Sequence, residues 1–377
     1  MRLLGIAPHC IVALLGASFV GTPAKSQILH PTKDNLEVAV THSITKSRSA
    51  NLSASLVQAL ERVRGARVER VFGTEDGDAI EVMGTVAAAV EDQAGRVIVL
   101  DRSFQNLRVL DRDVSKSFAI GRKGSGPMDF RSPMSLWVAA DGTVSVADAV
   151  LGVKSFRLDS PQSARLVRTF KVVGDITSAC SSGSDVATFR VSRSTDNLVE
   201  VRAPSGNVRV SFGEPYSASS TLARAIMSEG AIGCVADHSF VTALSGIPFL
   251  HGFDANGQRR WVSRIDPFDI GIQEETVGEG GRHSIGLQNG TRKFSYFISI
   301  VPHEERFVLV QVAHHTDRSL RARKDFDSLD TYLLDAKTGQ GVWVGNSLPK
   351  ISATRANGFV GVLNEPFPRV LLYQNAR

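Results

Sequence analysis

Ionisable side chains of both signs gather between Asp266 and Phe294, where a regular pattern is interrupted. Asp266, Asp269, Glu274, Glu275, Glu279, Arg282, His283, Arg292 and Lys293 share one irregular stretch. Long irregular loops inside compact domains are more often functional than decorative, so Glu274, Arg282 and His283 are taken as binding candidates. A second candidate is Ile120 to Pro133, where Arg122 and Lys123 stand among glycines whose backbone N–H groups can cradle an anion, with Asp129 close behind. Chemistry written in short motifs is missing. No Gly-x-Ser-x-Gly elbow, Cys-x-x-Cys pair or His-Glu-x-x-His run occurs. Gly278-Glu279-Gly280-Gly281-Arg282-His283 begins like a dinucleotide loop. His283 occupies the place of the third glycine, however, and no strand-to-helix context surrounds it. No catalytic residue is assigned.

Metal ligation is harder to read. His30, His42, His238, His251, His283, His303, His314 and His315 are scattered along the chain. His314 and His315 are adjacent, and on a strand they face opposite ways, so one ion cannot take both without a bulge. Cys180 and Cys234 sit in similar settings, Ser-Ala-Cys and Ile-Gly-Cys. They are expected to be two buried thiols, with a disulfide as the alternative that an oxidising compartment permits.

The elements that position these groups follow from composition and repetition. The chain has 377 residues, 42% hydrophobic and 21% charged, with 33 glycines. That is a folded, turn-rich protein, and it excludes a largely disordered chain. The net charge of +5 comes from bases and acids that alternate, without the basic stripe or interleaved aromatics of a nucleic-acid binder. Arg2, the apolar Ile11 to Val20 and the small-residue end Ala24-Lys25-Ser26 read as a cleaved signal peptide over 1–26. Ten apolar residues are too few to span a bilayer, which needs roughly 20. The mature protein is expected in the periplasm or outside the cell.

Val90 to Asp101 and Val138 to Asp148 align as a strand, a Gly-bearing turn and an alternating strand closed by Asp. A further strand follows each. Val97-Ile98-Val99-Leu100 is apolar on both faces, so it must be covered on both sides by copies of the same unit. Fainter copies follow, marked by Leu110, Phe156, Val201, Phe253, Leu334 and Tyr373 at spacings of 46, 45, 52, 81 and 39. Six units of this length predict an all-β, six-bladed β-propeller over 66–377. The 81-residue gap holds the insertion at about 266–294 and a second excursion near 316–328. The last unit is one strand short, and Arg67 to Phe72 can supply it, closing the ring from the N-terminal side. Upstream, residues 27–65 form a loosely ordered leader ending in a short amphipathic helix, Ser49 to Arg64, with Leu52, Leu56, Leu60 and Val63 in one stripe expected to dock.

Ile120-Gly121-Arg122-Lys123-Gly124-Ser125-Gly126-Pro127-Met128-Asp129-Phe130-Arg131-Ser132-Pro133 resembles the Gly-rich crossover of NHL-repeat proteins and related six-bladed propellers of exported bacterial proteins. There the pattern is close to Gly-x-x-Gly-x-Gly-Pro-Gly-Glu-Phe; Met128 replaces a glycine and Asp129 stands for the glutamate. The resemblance implies a propeller and leaves function open, because this fold hosts binding proteins, lyases and lactone hydrolases alike. Phe130 is expected to fill the gap between two blades. The leading expectation is a monomeric, non-enzymatic module without a cofactor, holding a protein or small molecule on one propeller face. The alternative is a metal-dependent lyase or lactone hydrolase with zinc or calcium at the central channel, which His251 and Asp237 could help to bind.

Overall fold

The computed structural model describes residues 25–31, 33–47, 52–112, 114–160, 162–191, 197–218, 220–278, 283–288, 290–322 and 324–376. Most of the signal segment and Arg282 of the candidate residues lie outside them. The chain opens with β1 (Lys25–Leu29), α1 (Lys33–Leu36), β2 (His42–Thr45), α2 (Ala54–Arg64) and β3 (Arg67–Phe72). The first four-stranded sheet follows: β4 (Val86–Glu91), β5 (Val97–Asp101), β6 (Asn106–Leu110) and β7 (Phe118–Ile120). The second comprises β8 (Pro133–Val138), β9 (Val144–Asp148), β10 (Gly152–Ser160) and β11 (Ser163–Phe170). The third comprises β12 (Asp175–Ser182), β13 (Asp185–Val191), β14 (Val199–Arg202) and β15 (Val208–Phe212). After α3 (Thr221–Met227) comes the fourth: β16 (Gly230–Cys234), β17 (Phe240–Leu244), β18 (Phe249–Phe253) and β19 (Arg259–Asp266). The insertion forms a hairpin, β20 (Gln273–Val277) and β21 (His283–Leu287). The fifth sheet comprises β22 (Lys293–His303), β23 (Phe307–Thr316), α4 (Asp317–Ala322) in its loop, β24 (Ser328–Asp335) and β25 (Gly341–Gly345). The sixth comprises β26 (Lys350–Arg355), β27 (Gly358–Leu363) and β28 (Arg369–Gln374), with β3 pairing antiparallel to β28 as its fourth strand.

The architecture is all-β and propeller-like. Leu110, Phe156, Val201, Phe253, Leu334 and Tyr373 each fall on the third strand of a sheet. The repeat works locally as its residues require. Gly142 adopts φ +79 in the turn after Asp141, whose carboxylate accepts from Thr143 N–H at 2.9 Å. All of Val97 to Asp101 is buried, as a strand apolar on both faces demands. Hydrophobic clusters fill the spaces between consecutive sheets. Phe130, Leu100 and Phe156 lie between the first and second, and Val360, Val370, Val86 and Val99 between the sixth and first. Burying such side chains supplies about 1.5–3 kcal/mol each, which no single sheet could obtain alone.

Polar stitches join each first strand to the neighbouring sheet. Ala179 N–H donates to Ser135 Oγ at 3.1 Å, Ile232 N–H to Ser178 Oγ at 3.3 Å and Phe297 N–H to the Ser245 carbonyl at 3.0 Å. Ile351 N–H donates to Gln311 Oε1 at 2.6 Å, and Ala89 N–H to Ser352 Oγ at 2.6 Å. β4 thus packs beside both β8 and β26.

Three sequence expectations are corrected. The leader is organised: β2 pairs parallel to β19, with Ile44 buried in the cluster holding Ile265, Tyr332 and Leu334, and β1 pairs antiparallel to β20. Two short strands with one buried residue each leave too little periodicity to read. The helix begins at Ala54, because the Ser53 hydroxyl accepts from Leu56 N–H and caps it. Leu56, Leu60 and Val63 pack against Phe307, Leu333 and Phe359 of the fifth and sixth sheets. Cys180 and Cys234 are not separate thiols but one disulfide, with Cα atoms 5.8 Å apart, joining β12 to β16.

Candidate functional site

In each sheet the first strand starts, and the second strand ends, on the same side of the molecule. The crossovers, the insertion and the α4 loop all lie at this end. Lys350 opens β26, and its ammonium donates to the Ala87 carbonyl at 2.9 Å, across to the first strand of the first sheet. Burial, with Arg102 nearby, pushes this ammonium down to about 8, against the opposite pull of Asp325. Arg102 follows β5, and its guanidinium reaches Met134 Sδ at 2.8 Å on the second sheet. Two cationic side chains from different sheets therefore lie at the same end, near enough for the charge of one to act on the other. Tyr296, on β22, donates to the Asp325 carbonyl at 3.5 Å, and its hydroxyl lies 3.2 Å from His315 Nε2. His315 stacks on Phe294, ring centroids 4.7 Å apart, and burial depresses its pKa.

His314 points the other way, as adjacent strand residues must. Its Nδ1 lies 2.8 Å from Ser295 Oγ and its Nε2 2.8 Å from Asp330 Oδ2. Trp343 Nε1–H donates to Asp330 Oδ1 at 3.2 Å, and Lys46 Nζ stands 2.6 Å from Oδ2. Burial pushes the Asp330 carboxyl up, but hydrogen bonds from His314 and Lys46 outweigh it and hold the group below its usual range. These are the residue types of a hydrolytic triad. Ser295, however, is 1% exposed, and its hydroxyl accepts from Asp269 N–H at 3.0 Å. The chain Ser295–His314–Asp330–Trp343 crosses all four strands of the fifth sheet and ties them together.

The candidates read from sequence separate into three places. At the 120–133 crossover, Gly121 adopts φ +76, and a side chain there would strike the Met128 carbonyl and the Phe130 ring. Asp129 Oδ2 accepts from Gly126 N–H at 3.0 Å, and Gly124 N–H donates to the Phe130 carbonyl. The chain's own carboxylate fills the concavity, with Arg122 Nε 3.7 Å from Asp129 and Arg122 and Lys123 exposed. Phe130 is fully buried against Phe156, and Lys154 Nζ donates to the Gly126 and Asp129 carbonyls. In the insertion, His283 Nδ1 lies 2.9 Å from Glu275 Oε1, which also accepts from Ser220 Oγ, the cap of α3. Glu274 faces the opposite side of β20. His251 is elsewhere, beside Phe253, and burial lowers its pKa to about 4. Among the described residues no three His, Cys, Asp or Glu side chains gather closely enough to share an ion. No helix among them is long and apolar enough to cross a membrane.

The chain is similar in fold to a protein of Bacteroides fragilis NCTC 9343 described as a putative exported protein, at 10% identity and TM-score 0.51, over 89% of this chain and 99% of that one. Fainter likenesses link it to virginiamycin B lyase from Staphylococcus aureus, at 8% identity and TM-score 0.45, over 82% of this chain and 99% of that one. A streptogramin B lyase aligns at 8% identity and TM-score 0.42, over 83% and 100%. These likenesses bear on fold alone, and the two lyases carry no inference about chemistry. No family model and no curated protein matches the chain, so the resemblance of the 120–133 crossover rests on its own residues.

Proposed function

We propose that the six sheets are the blades of a closed β-propeller in an exported protein, and that this propeller binds a small ligand bearing an anionic group at its channel mouth. The observation that carries this reading is Lys350. Its ammonium donates to the Ala87 carbonyl where the first and sixth sheets meet, and burial, with the charge of Arg102, lowers its pKa to about 8, so that it still carries its charge at neutral pH. An anion arriving there would pair with this ammonium and gain charge-assisted hydrogen bonds in a site of reduced dielectric. Arg122, Lys123, Glu274 and His283 lie at the same end and are peripheral contacts in this reading. Closure is supported by the β3–β28 pairing and by the stitches from Ser352 and Lys350 to the first sheet.

The test is thermal unfolding of the mature chain, residues 27–377, with inorganic phosphate, acetate and succinate at neutral pH. At least one anion should raise the melting temperature of the wild type and not that of Lys350→Met. Saturation to 100 Kd would add about 2.7 kcal/mol. No response to any of the three overturns the reading. Elemental analysis after dialysis against metal-free buffer tests the lyase or lactonase alternative, which requires about one equivalent of retained calcium or zinc.

A further inference from the structure

The same mouth carries acids opposite its bases. Glu229 immediately precedes β16, and its carbonyl accepts from Ser245 N–H at 2.7 Å. This continues the β16–β17 register one step beyond Gly230–Leu244, so the Glu229 and Ser245 side chains stand side by side on one face. Ser245 is 8% exposed, and its hydroxyl has no hydrogen-bond partner. Asp175, which opens β12 on the neighbouring sheet, lies near enough that burial and its charge together push Glu229 up to about 7.

Order around the ring segregates the charges. Lys350 belongs to the sixth sheet and Arg102 to the first, reaching the second. Asp175 belongs to the third, Glu229 borders the fourth and Asp325 hangs in the loop of the fifth. Arg190 pairs with Glu200 and Lys293 stands 3.6 Å from Asp269, while the buried Asp101 and Asp148, at the same end of the first and second sheets, are taken up by Arg108 and by backbone N–H groups of their own turns, so none of these reverses the pattern. A purely anionic ligand would leave the acidic arc with a desolvated carboxyl and an unused hydroxyl, which is costly. Two carboxylates and one hydroxyl suit the three N–H donors of an ammonium group. They are too few for calcium, which takes six to eight oxygens.

We propose that the ligand is zwitterionic, its anionic end at Lys350 and Arg102 and its ammonium at Glu229, Asp175 and Ser245, the chemistry of an amino acid or a short peptide. This rests on the channel mouth being the ligand site. Three probes of one length test it by titration calorimetry: triglycine, N-acetyl-triglycine lacking the ammonium, and triglycine amide lacking the carboxylate. Triglycine should bind at least about tenfold more tightly than either capped form, the loss expected for one charge-assisted contact. Glu229→Gln should reduce triglycine binding to the N-acetyl level while leaving N-acetyl-triglycine unchanged. Lys350→Met should reduce it to the amide level. Equal binding of triglycine and N-acetyl-triglycine overturns the zwitterion and leaves the anion site standing. Binding of inorganic phosphate without triglycine does the same. Failure of all these probes, phosphate included, overturns both readings.

Discussion

Replacing Cys180 and Cys234 by alanine perturbs the packing of the third and fourth sheets at one defined place. The bond joins the first strands of the third and fourth sheets across a sequence separation of 54. In the chain-entropy account, a cross-link closing a loop of that length stabilises the native state by about 4 kcal/mol, by restricting the unfolded ensemble. With about 2.1 cal/mol/K of unfolding entropy per residue, a chain of 377 residues loses about 0.8 kcal/mol per degree near its midpoint. The double variant should therefore melt about 5 °C lower, and reduced wild type should melt with it. Calorimetry of the mature chain with and without a phosphine reductant measures both. Thiol titration in guanidinium supplies the control: no free thiol before reduction and two after. Two free thiols in the unreduced protein, or a double variant melting within about 1 °C of wild type, would refute the reasoning.

Other perturbations test other parts of the account. Glu229→Gln should stabilise the protein at pH 8 by about 2 kcal/mol, because the native carboxyl is held up to about 7 and its ionised form is disfavoured. The sign follows from proton binding. Between about pH 4.5 and 7 the native state holds the extra proton, so wild-type stability falls as pH rises through that window, and the variant should lack the slope. Lys350 acts in reverse. Its native ammonium titrates near 8 and the unfolded one near 10.5, so stability should rise between those values in wild type but not in Lys350→Met. Phe130→Ala empties the space between the first and second sheets and should cost about 3–5 kcal/mol in denaturant unfolding. Deleting residues 27–72 removes β3 and α2 and bares the outer edge of β28. Size exclusion should then show association or loss of the monomer peak.

The turn at Asp141-Gly142, the doubly apolar Val97 to Leu100 and the six marker residues made the repeated strand unit legible from sequence. The sixth sheet lacked a strand, and Arg67 to Phe72 was the alternating segment able to fill it. Local signals of this kind need only neighbours in the chain. The candidate site did not announce itself in this way. Lys350, Arg102, Glu229 and Asp175 come from four parts of the sequence, and only strand register and the order of sheets bring them to one end. The Ser295–His314–Asp330 chain is concealed similarly, although the opposite facing of His314 and His315 was readable from alternation. The disulfide is concealed as well, because two Cys on neighbouring first strands look alike in sequence whether or not their Cα atoms approach to 5.8 Å. At the crossover the glycines around Arg122 and Lys123 suggest an anion cradle, yet Asp129 three residues beyond Gly126 already occupies the N–H group there.

The most direct measurement is the titration of the Lys350 ammonium itself, followed by NMR in protein labelled at lysine and assigned with Lys350→Met. A midpoint near 8 is predicted, moving upward when phosphate or triglycine is added, because a bound anion favours the charged form. A midpoint at the ordinary lysine value that no added anion shifts would contradict the proposed anion site at Lys350.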